Sequence, residues 1–404
     1  MNKINKKIDL VVIGGGPAGL MAGFSAKNKG ADVVIVEKGD PGSKILVSGN
    51  GRCNFTNKAF KLQELVKNYE KDGDFLYRSL SQFGPKEAIN FFESRGVKAK
   101  IENSKVFPES DNSQDILEVF KKELSEDVLK GEVVDFLTEN ERVDKILVKI
   151  NDKVEEIEAK NFLLATGGKS YPHLGADGFG FEAAKKMGHK VLDPFPALTP
   201  LVSEDKKVKN LQGIALKEIE LSYGNNAEMG DLIFTHFGLS GPAVLNLSLK
   251  IKGEVEEVRL KLLPKMNFEE IDKKLIELFK GNKSVKNCLS QLFPENLVKE
   301  IFSGLGFSLT KKANKLTKGE RHKIVKKINN IEIKSCKPAG FDRALVTGGG
   351  VNLSEIDSKT MRSQIIGNLF FAGEVINLVG RTGGFNLQMC WSTGRLAGKE
   401  AVKN

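Results

Sequence analysis

The sequence predicts an α/β protein whose first unit is built on a parallel sheet. Two observations lead to this fold class. An apolar run, Asp9 to Gly16, precedes a helix-like stretch, Pro17 to Lys29, and a second, Val-rich run, Ala31 to Glu37, follows. Strands buried on both faces of a parallel sheet are near-continuous apolar runs of this kind, and a helix between them makes a βαβ unit. With 404 residues, the chain exceeds one hydrophobic core, so we expect two or three structural units.

A glycine-rich turn joins the first predicted strand to the first predicted helix, in the pattern Gly-x-Gly-x-x-Gly over residues 14–19. The first glycine makes the turn, the second admits phosphates, and the third lets helix and strand pack closely, while the helix start supplies amide donors. Glu37 follows 18 positions after Gly19 and is placed to accept hydrogen bonds from a ribose. The alternative interpretation of this pattern is a glycine-rich turn that serves only helix–strand packing. The pattern predicts a Rossmann-like dinucleotide site that includes Gly14, Gly16, Pro17, Ala18 and Gly19.

Three further segments are predicted to complete this site. Residues 42–57 mix permissive glycines with hydrogen-bonding groups, as a loop around a ligand requires, and Thr166 and Gly167 end a buried strand expected at Asn161 to Thr166. The third segment opens the last predicted helix, whose amides favour negative charge. For Lys44 and Arg52 the alternative is surface charge, and for Cys53 an inert apolar role. The candidates from the first and third segments are Lys44, Arg52, Cys53, Asn54, Gly384, Phe385, Asn386 and Leu387.

The middle of the chain has a different character. Short antiparallel strands are expected at Leu198 to Val202, Leu211 to Tyr223 and Val255 to Leu263, and a basic helical stretch follows from Phe268 to Lys327. Buried-strand character returns at Leu369 to Ala372, so the end of the chain should complete the first unit. We predict a first domain of residues 1–194 plus 340–404, an inserted β-rich substrate domain of 195–265 plus 328–339, and a helical lid of 266–327.

Composition excludes several protein classes. The apolar runs are far shorter than the roughly 20 residues of a membrane span, and no signal peptide is evident, so a cytoplasmic location is expected. The four cysteines form no CxxC pair, which disfavours a metal site and disulfides. The net charge of +10 indicates either a solubility bias or a nucleic-acid surface. We favour the first, because aromatic residues are not interleaved with the basic stretch from Lys311 to Lys327.

Several motifs resemble those of the bacterial flavoproteins known as BaiN-like or aminoacetone oxidase-like, within the glutathione-reductase-type group. They are GGGPAG, KILVSGNGRCNFTN, ATGGKSYP, FTHFGLSGP, TGGGV and FAGEVINLVGRTGGFNLQ. The resemblance implies FAD as cofactor, an inserted β domain and a helical lid. It also implies which residues contact each part of FAD. Glu37 and Lys38 should contact the adenosine ribose, Val133 or Val134 the adenine, and Thr166 and Gly167 the adenosine half. Gly373 and Glu374 should contact the ribityl-pyrophosphate region, and Asn386 and Leu387 the flavin ring.

Two residues depart from the family pattern, which usually has Asp at the position of Asn377 and Tyr at that of Phe385. His236, within FTHFGLSGP, is the catalytic candidate, as proton donor or acceptor, with a structural role in a turn as the alternative. One dinucleotide fingerprint argues against a separate nicotinamide domain, so NAD(P)H is expected only as a transient electron donor.

The predicted function is FAD-dependent hydride transfer between a small organic substrate, a ketone, enone or amine, and flavin N5. The other redox partner is O₂ or NAD(P)H. The sequence has neither a GxSxG elbow nor an HExxH pair, and no Walker motif, which excludes those hydrolase and nucleotidase classes. Two alternatives stay open: a nucleic-acid-associated flavoprotein, and an FAD-binding protein without efficient turnover. The oligomeric state is also open.

Overall fold

The structure is a computed structural model that describes residues 8–403. It divides into two compact units, one that runs to Pro196 and resumes at Leu345, and one of Ala197–Ala344. Residues 1–7 and 404 of the predicted first domain lie outside the described residues. The division of the remaining chain into a β-rich substrate domain and a helical lid stays a prediction. Between residues 8 and 403 no helix has the length and apolar character needed to span a bilayer.

The strands are β1 (Ile8–Ile13), β2 (Val33–Glu37), β3 (Thr56–Asn57), β4 (Ala99–Glu102), β5 (Lys105–Pro108), β6 (Val128–Lys130), β7 (Glu132–Glu139), β8 (Arg142–Ile150), β9 (Lys153–Leu164), β10 (Val191–Ala197), β11 (Leu201–Ser203), β12 (Ala215–Tyr223), β13 (Asn226–Phe234), β14 (Gly238–Ser240), β15 (Val255–Lys261), β16 (Ile331–Pro338), β17 (Val346–Val351) and β18 (Leu369–Phe371).

The α-helices are α1 (Pro17–Lys27), α2 (Ser43–Val47), α3 (Leu62–Val66), α4 (Tyr77–Gln82), α5 (Pro85–Glu93), α6 (Ser113–Leu124), α7 (Phe179–Lys186), α8 (Lys206–Asn210), α9 (Pro242–Ser248), α10 (Phe268–Leu278), α11 (Val285–Leu289), α12 (Glu295–Phe302), α13 (Lys318–Asn329) and α14 (Phe385–Glu400).

The first unit contains the predicted parallel sheet, in the order β6-β2-β1-β9-β18. At its centre Val12 lies between Ile35 and Leu163, and all three side chains are fully buried. Strands with both faces covered expose no apolar surface to water, which explains their unbroken Val, Ile and Leu runs. The carboxyl ends of β1, β9 and β18 therefore meet at one edge of the sheet.

Strand β9 corrects the prediction of a strand from Asn161 to Thr166. It is one strand of 12 residues, Lys153–Leu164. Its first half pairs antiparallel with β8 and is largely exposed, whereas its second half pairs with β1 and β18 and is buried. Because the neighbours change, the residues change from mainly polar to apolar along the strand. In the sequence this change resembles the boundary between two strands.

The last helix packs on the first through glycines. A Cβ at Gly394 would lie 2.3 Å from the carbonyl oxygen of Ala18, and one at Gly398 would lie 2.2 Å from that of Ala22. No other residue permits this approach, because real Cβ contacts do not fall below about 3 Å. The end of the chain thereby completes the first unit and holds the start of α14 in it.

The second unit is a closed antiparallel barrel, β11-β14-β13-β12-β15-β16. Helices α10 to α13 share one apolar core with it, to which Ile271 and Ile324 contribute. The strand predicted from Leu211 begins only at Ala215, and the strand predicted at Leu198 begins at Leu201, after Leu198 itself adopts a left-handed φ of 50°. The hairpin partner β13 was not predicted, because its Asn, Asp, Glu and Gly residues have low β-propensity and half of them are exposed.

Candidate functional site

The glycine turn forms an open cradle at the start of α1. Gly14 has a φ of +102°, and a Cβ there would lie 2.6 Å from the carbonyl oxygen of Ala165, so this position requires glycine. A Cβ at Gly19 would lie 1.9 Å from the Gly14 carbonyl oxygen, which is the close helix–strand contact expected of the third glycine. At Gly16, by contrast, no described atom lies within 4 Å of an added Cβ. Pro17 at the first helical position and the Gly16 cap leave the helix start without a side-chain cap, as an anion site requires.

Glu37 lies beside this cradle at the end of β2. Its Oε2 accepts a hydrogen bond from Gly15 N at 2.7 Å, and its Oε1 accepts one from Gly39 N at 2.7 Å. A carboxylate has about four lone-pair sites, so ribose hydroxyls can still donate to it. Lys38, the neighbouring candidate, forms an ion pair with Asp177 in the turn before α7.

A polar cluster joins helix α2, the start of β17 and the turns that follow β9 and β18. Lys44 Nζ lies 3.3 Å from Glu374 Oε2, and Glu374 Oε1 accepts a hydrogen bond from Thr347 N at 2.9 Å. The Thr347 hydroxyl in turn accepts from Lys169 N at 2.7 Å, directly after Gly167 and Gly168. Thr347 is a site residue that the sequence analysis missed, although it opens the TGGGV motif. The cluster places the predicted Lys44, Gly167 and Glu374 together.

Two candidates at the sheet edge have different hydrogen-bonding states. The hydroxyl of Thr166 is buried and has no hydrogen-bond partner, and a Cβ at Gly180 would lie 2.0 Å from it. Buried polar groups are rarely left unpaired, so this hydroxyl fits a polar atom of a bound ligand. Gly373, with a φ of +76°, donates its N–H to Thr393 Oγ1 at 3.0 Å. Its amide is therefore already paired within the protein.

The start of α14 is fixed by its own side chains. Gly383 and Gly384 have φ values of +113° and +90°, and glycine at the cap position supplies no capping side chain. The Asn386 amide bonds to both backbone groups of Gly380, and the Phe385 carbonyl oxygen accepts from Tyr69 Oη at 2.8 Å. The side chain of Asn386 is thus structural, and the positive end of the helix dipole is the feature of this segment that suits an anion.

The loop of residues 42–57 reaches the start of α14 through Asn54. A Cβ at Gly384 would lie 2.6 Å from Asn54 Oδ1, a buried oxygen with no hydrogen-bond partner. The adjacent Cys53 is fully buried, with a left-handed φ of 56°, and burial raises the pKa of its thiol to about 12. A thiol in that state is not a nucleophile at neutral pH, which favours the inert role.

Arg52 is directed to the β4–β5 ribbon. It donates hydrogen bonds to Glu102 and Asp111, and its guanidinium stacks 4.1 Å from the Phe107 ring centroid. Both carboxylates raise the pKa of Arg52. These contacts favour the alternative role given above for Arg52, that of a surface charge. In β7, Val133 is buried and Val134 is exposed, and their contact with adenine stays a prediction.

His236 lies in the second unit, in the turn between β13 and β14. Thr235 fixes this turn, because its hydroxyl and its N–H both donate to the Gly238 carbonyl oxygen. The imidazole is exposed and packs edge-on against Phe237, at 4.9 Å between ring centroids, and the Arg343 guanidinium stacks on the same phenyl ring at 4.2 Å. The turn therefore presents a histidine on a rigid support, and its catalytic role stays a prediction.

Known proteins share this sequence pattern and geometry. The sequence matches the HI0933-like protein Rossmann domain family over residues 8–400. It is 28% identical to a 3-dehydro-bile acid delta(4,6)-reductase of Clostridium scindens, over 97% of this chain and 98% of that protein. It is 31% identical to a ribosomal RNA dihydrouridine synthase of Haemophilus influenzae, over 95% of this chain and 96% of that protein.

Solved structures establish the fold. A flavocytochrome c3 fumarate reductase aligns with a TM-score of 0.56 and 19% identity, over 98% of this chain and 78% of the other. The 3-ketosteroid-delta4-(5alpha)-dehydrogenase of Rhodococcus jostii aligns with a TM-score of 0.52 and 16% identity, over 100% of this chain and 98% of the other. The predicted Rossmann-like FAD-binding fold is confirmed.

The cofactor prediction is confirmed as well. The open cradle at Gly16, the carboxylate of Glu37 and the unpaired hydroxyl of Thr166 fit a dinucleotide, and the family match and the fold agree with that fit. The cofactor is FAD, and the protein is an FAD-dependent oxidoreductase.

Proposed function

We propose that this chain, which belongs to the HI0933-like protein Rossmann domain family, reduces a carbon–carbon double bond conjugated to a carbonyl group. One observation carries the proposal: two relatives that span nearly the whole chain have names that share this chemistry. A 3-dehydro steroid nucleus with delta(4,6) unsaturation and the uracil ring each contain a C=C bond conjugated to a carbonyl. A reductase and a dihydrouridine synthase each add two hydrogens to such a bond. Among the substrates predicted from sequence, the proposal selects the enone type.

The chain's own residues bind and orient the cofactor for this reaction. When bound, FAD supplies a hydride from N5 of its reduced ring. The amides at the start of α1 would hold the pyrophosphate, and Glu37 would accept hydrogen bonds from the ribose. The positive end of the α14 dipole would stabilise the negative charge that the flavin gains on reduction.

Addition of two hydrogens also requires a proton, and we assign its delivery to His236. In the proposed addition, the carbon β to the carbonyl would take the hydride and the α carbon the proton, and the two electrons would come from the reduced cofactor. Imidazole is the side chain best suited to proton transfer near neutral pH, and the Thr235–Gly238 turn holds this one exposed and in a fixed position. NADH or NADPH is the proposed electron source, and because the chain has one dinucleotide fingerprint we expect it to bind only transiently.

The charge distribution favours uridine within RNA over a small enone as the substrate. Residues 197–344 contain 26 Lys and Arg and 18 Asp and Glu, a net charge of +8 out of +10 for the whole chain. In the basic segment, residues 311–327, Lys311 pairs with Glu320 and Arg321 with Asp272. Five further lysines are exposed and, within the described part of the chain, have no carboxylate at ion-pair distance; Lys323 donates to the Leu305 carbonyl oxygen, and the other four are Lys312, Lys315, Lys318 and Lys326. Unpaired cations concentrated in one unit are better explained by binding to a polyphosphate backbone than by a general solubility bias.

A half-reaction experiment tests the proposal. FAD-loaded protein is reduced anaerobically with NADH or NADPH and then mixed with a steroid enone, free uridine, or ribosomal RNA from cells that lack this protein. We expect ribosomal RNA to reoxidise the flavin and to gain dihydrouridine, measured by mass spectrometry of its nucleosides. Reoxidation by the steroid alone would move the assignment to a small enone. A reduced flavin that no conjugated substrate reoxidises would contradict the proposal and favour FAD binding without turnover.

A further inference from the structure

An open cavity of about 460 Å³ lies in the first unit, where the β7–β8 turn meets the loop of residues 357–367. The two segments are joined by a hydrogen bond from Gly367 N to the Glu141 carbonyl oxygen at 2.7 Å. Asn140 and Gln364 add amide groups to the lining, and Arg142 and Arg362 add guanidinium groups. The lining thus combines hydrogen-bond donors with two carboxylates, those of Glu141 and Asp357.

The two guanidinium groups approach one point. A Cβ at Gly367 would lie 3.5 Å from Arg362 Nη2 and 3.7 Å from Arg142 Nη1. Neither arginine forms an ion pair with a carboxylate of residues 8–403. Arg142 donates one long hydrogen bond, of 3.5 Å, to the Lys160 carbonyl oxygen, and among the described residues the Arg362 guanidinium donates none. Two like charges held close together without a counter-ion repel each other, so an anion between them is favourable.

One of the two carboxylates in the lining, that of Asp357, is used elsewhere. Asp357 Oδ1 accepts from Lys359 N at 2.9 Å, and Asp357 Oδ2 accepts from the Thr360 hydroxyl at 2.8 Å. These bonds close a tight turn, and among the described residues Asp357 forms no ion pair with Arg362. Glu141, the other acidic residue of the lining, is exposed.

The loop that carries Arg362 contains a strained residue. Met361 is fully buried and has a left-handed φ of 64°, an uncommon conformation for a side chain of its size. The surrounding bonds impose it, because Asp357 N donates to the Arg362 carbonyl oxygen at 2.8 Å and Met361 N donates to that of Asp357 at 2.7 Å. Backbone strain of this kind is retained where the structure fixes a neighbouring group for binding. Here that neighbour is Arg362.

We propose that this cavity binds a phosphate group between Arg142 and Arg362. Guanidinium groups match phosphate oxygens in pairs, and the amides of Asn140 and Gln364 can donate to the oxygens that remain. The site is distinct from the FAD site. It lies where β9 and β18 begin their parallel pairing, whereas the cradle lies at their carboxyl ends, roughly 15 Å along the strands. The phosphate belongs to a free nucleotide or to an RNA backbone.

The experiment uses FAD-loaded protein, so that the pyrophosphate cradle is filled. Binding of inorganic phosphate, adenosine monophosphate and a short oligoadenylate is measured by calorimetry, and none of the three contains a reducible uracil. We expect saturable binding that weakens at least tenfold in the Arg142→Gln/Arg362→Gln variant. The Arg78→Gln/Arg259→Gln variant removes the same charge from exposed positions outside the cavity and should bind as the wild type does.

A second variant, Gly367→Leu, keeps both arginines and fills the space between them, so it should also abolish binding. Flavin absorbance and the melting temperature verify that each variant is folded. Tightest binding of adenosine monophosphate assigns the site to a nucleotide, and tightest binding of oligoadenylate assigns it to an RNA backbone. Absence of saturable binding to the wild type, or unchanged binding to folded Arg142→Gln/Arg362→Gln and Gly367→Leu, would overturn the proposal. The result does not depend on the reduction of a conjugated double bond.

Discussion

The side-chain amide of Asn386 pairs with the backbone of Gly380 on both sides. Its Oδ1 accepts from Gly380 N at 2.8 Å, and its Nδ2 donates to the Gly380 carbonyl oxygen at 2.9 Å. This pair closes the loop of residues 380–386 and holds the start of α14 in place. Because the amide is occupied, the residue acts through the loop that it shapes.

Replacement of Asn386 by Ala removes both hydrogen bonds. We expect the free energy of unfolding to fall by about 1–2 kcal/mol and the Kd for FAD to rise roughly tenfold, because each buried bond contributes about 1 kcal/mol. Fluorescence titration with FAD and chemical denaturation measure the two effects. The matched control is Asn329→Ala in α13, which removes one bond, to the Val325 carbonyl oxygen. An unchanged Kd in Asn386→Ala would contradict the positioning role.

The second and third glycines of the turn before α1 separate binding from folding. Gly16→Ala adds a Cβ that meets no described atom within 4 Å, so the apoprotein should melt as the wild type does, while FAD affinity falls because the Cβ enters the phosphate cradle. Gly19→Ala places a Cβ 1.9 Å from the Gly14 carbonyl oxygen and should destabilise the fold by about 1–3 kcal/mol. Melting of both apoproteins and FAD titration give the comparison. Equal FAD binding by Gly16→Ala and wild type would support a mere packing turn.

Buried thiols predict a loss of stability at high pH. Burial raises the pKa of Cys53 and of Cys390 to about 12, and that of Cys336 to about 11. Their contribution is complete below the unfolded pKa of about 8.5 and is lost as the pH rises toward the folded values, because only the unfolded chain ionises. We expect denaturant midpoints to fall between about pH 9 and pH 11, and to fall less in Cys53→Ala.

The same thiols should resist alkylation. At about pH 8, iodoacetamide should not modify Cys53 in the native protein and should modify it in denaturant, since reactivity requires an exposed thiolate. Mass spectrometry of the digested protein measures the modification. Rapid labelling of native Cys53 would contradict the inert role and indicate an accessible, reactive thiol.

The proposed proton donor gives a kinetic prediction. His236→Gln should lower turnover about 10²–10⁴-fold, because general acid catalysis contributes that much, and should leave the FAD spectrum and affinity unchanged. Rapid mixing of reduced enzyme with substrate measures the step. The control is His173→Gln, which removes an exposed imidazole in the turn after β9. Equal rates in His236→Gln and wild type would assign His236 to the turn alone.

The basic segment gives a salt-dependence prediction. Replacement of Lys312, Lys315, Lys318 and Lys326 by Gln should weaken RNA binding and reduce the slope of log K against log salt by about 0.7 for each phosphate that is no longer neutralised, as expected for single strands. Fluorescence anisotropy over a range of salt concentrations measures the slope. The control replaces Lys265 and Lys280, which are already paired with Glu218 and Glu277. An equal decrease in affinity in both variants would indicate net charge rather than this segment.

The sequence alone predicted those parts of the site whose geometry is local. Gly14, Gly16 and Gly19 belong to one strand–turn–helix segment, so their spacing is sufficient to predict the cradle. Glu37 follows within the same βαβ unit, and its position beside the turn is a consequence of parallel pairing. Family resemblance extended the prediction to the distant segments, although it did not reveal which polar atoms are already paired.

Long-range packing determined the rest. Arg52 lies in a predicted binding loop, yet Glu102 and Asp111 on a neighbouring ribbon direct it there. Lys44, Thr347 and Glu374 are far apart in the chain and meet because α2, the start of β17 and the turn after β18 pack together. Arg142 and Arg362 converge only because a hairpin turn is hydrogen-bonded to a strained loop. The amino-acid sequence therefore determined the fold class, the cofactor cradle and its helix. The tertiary structure decided which charges are paired and which remain free, because an ion pair depends on a distance in space that no local pattern records.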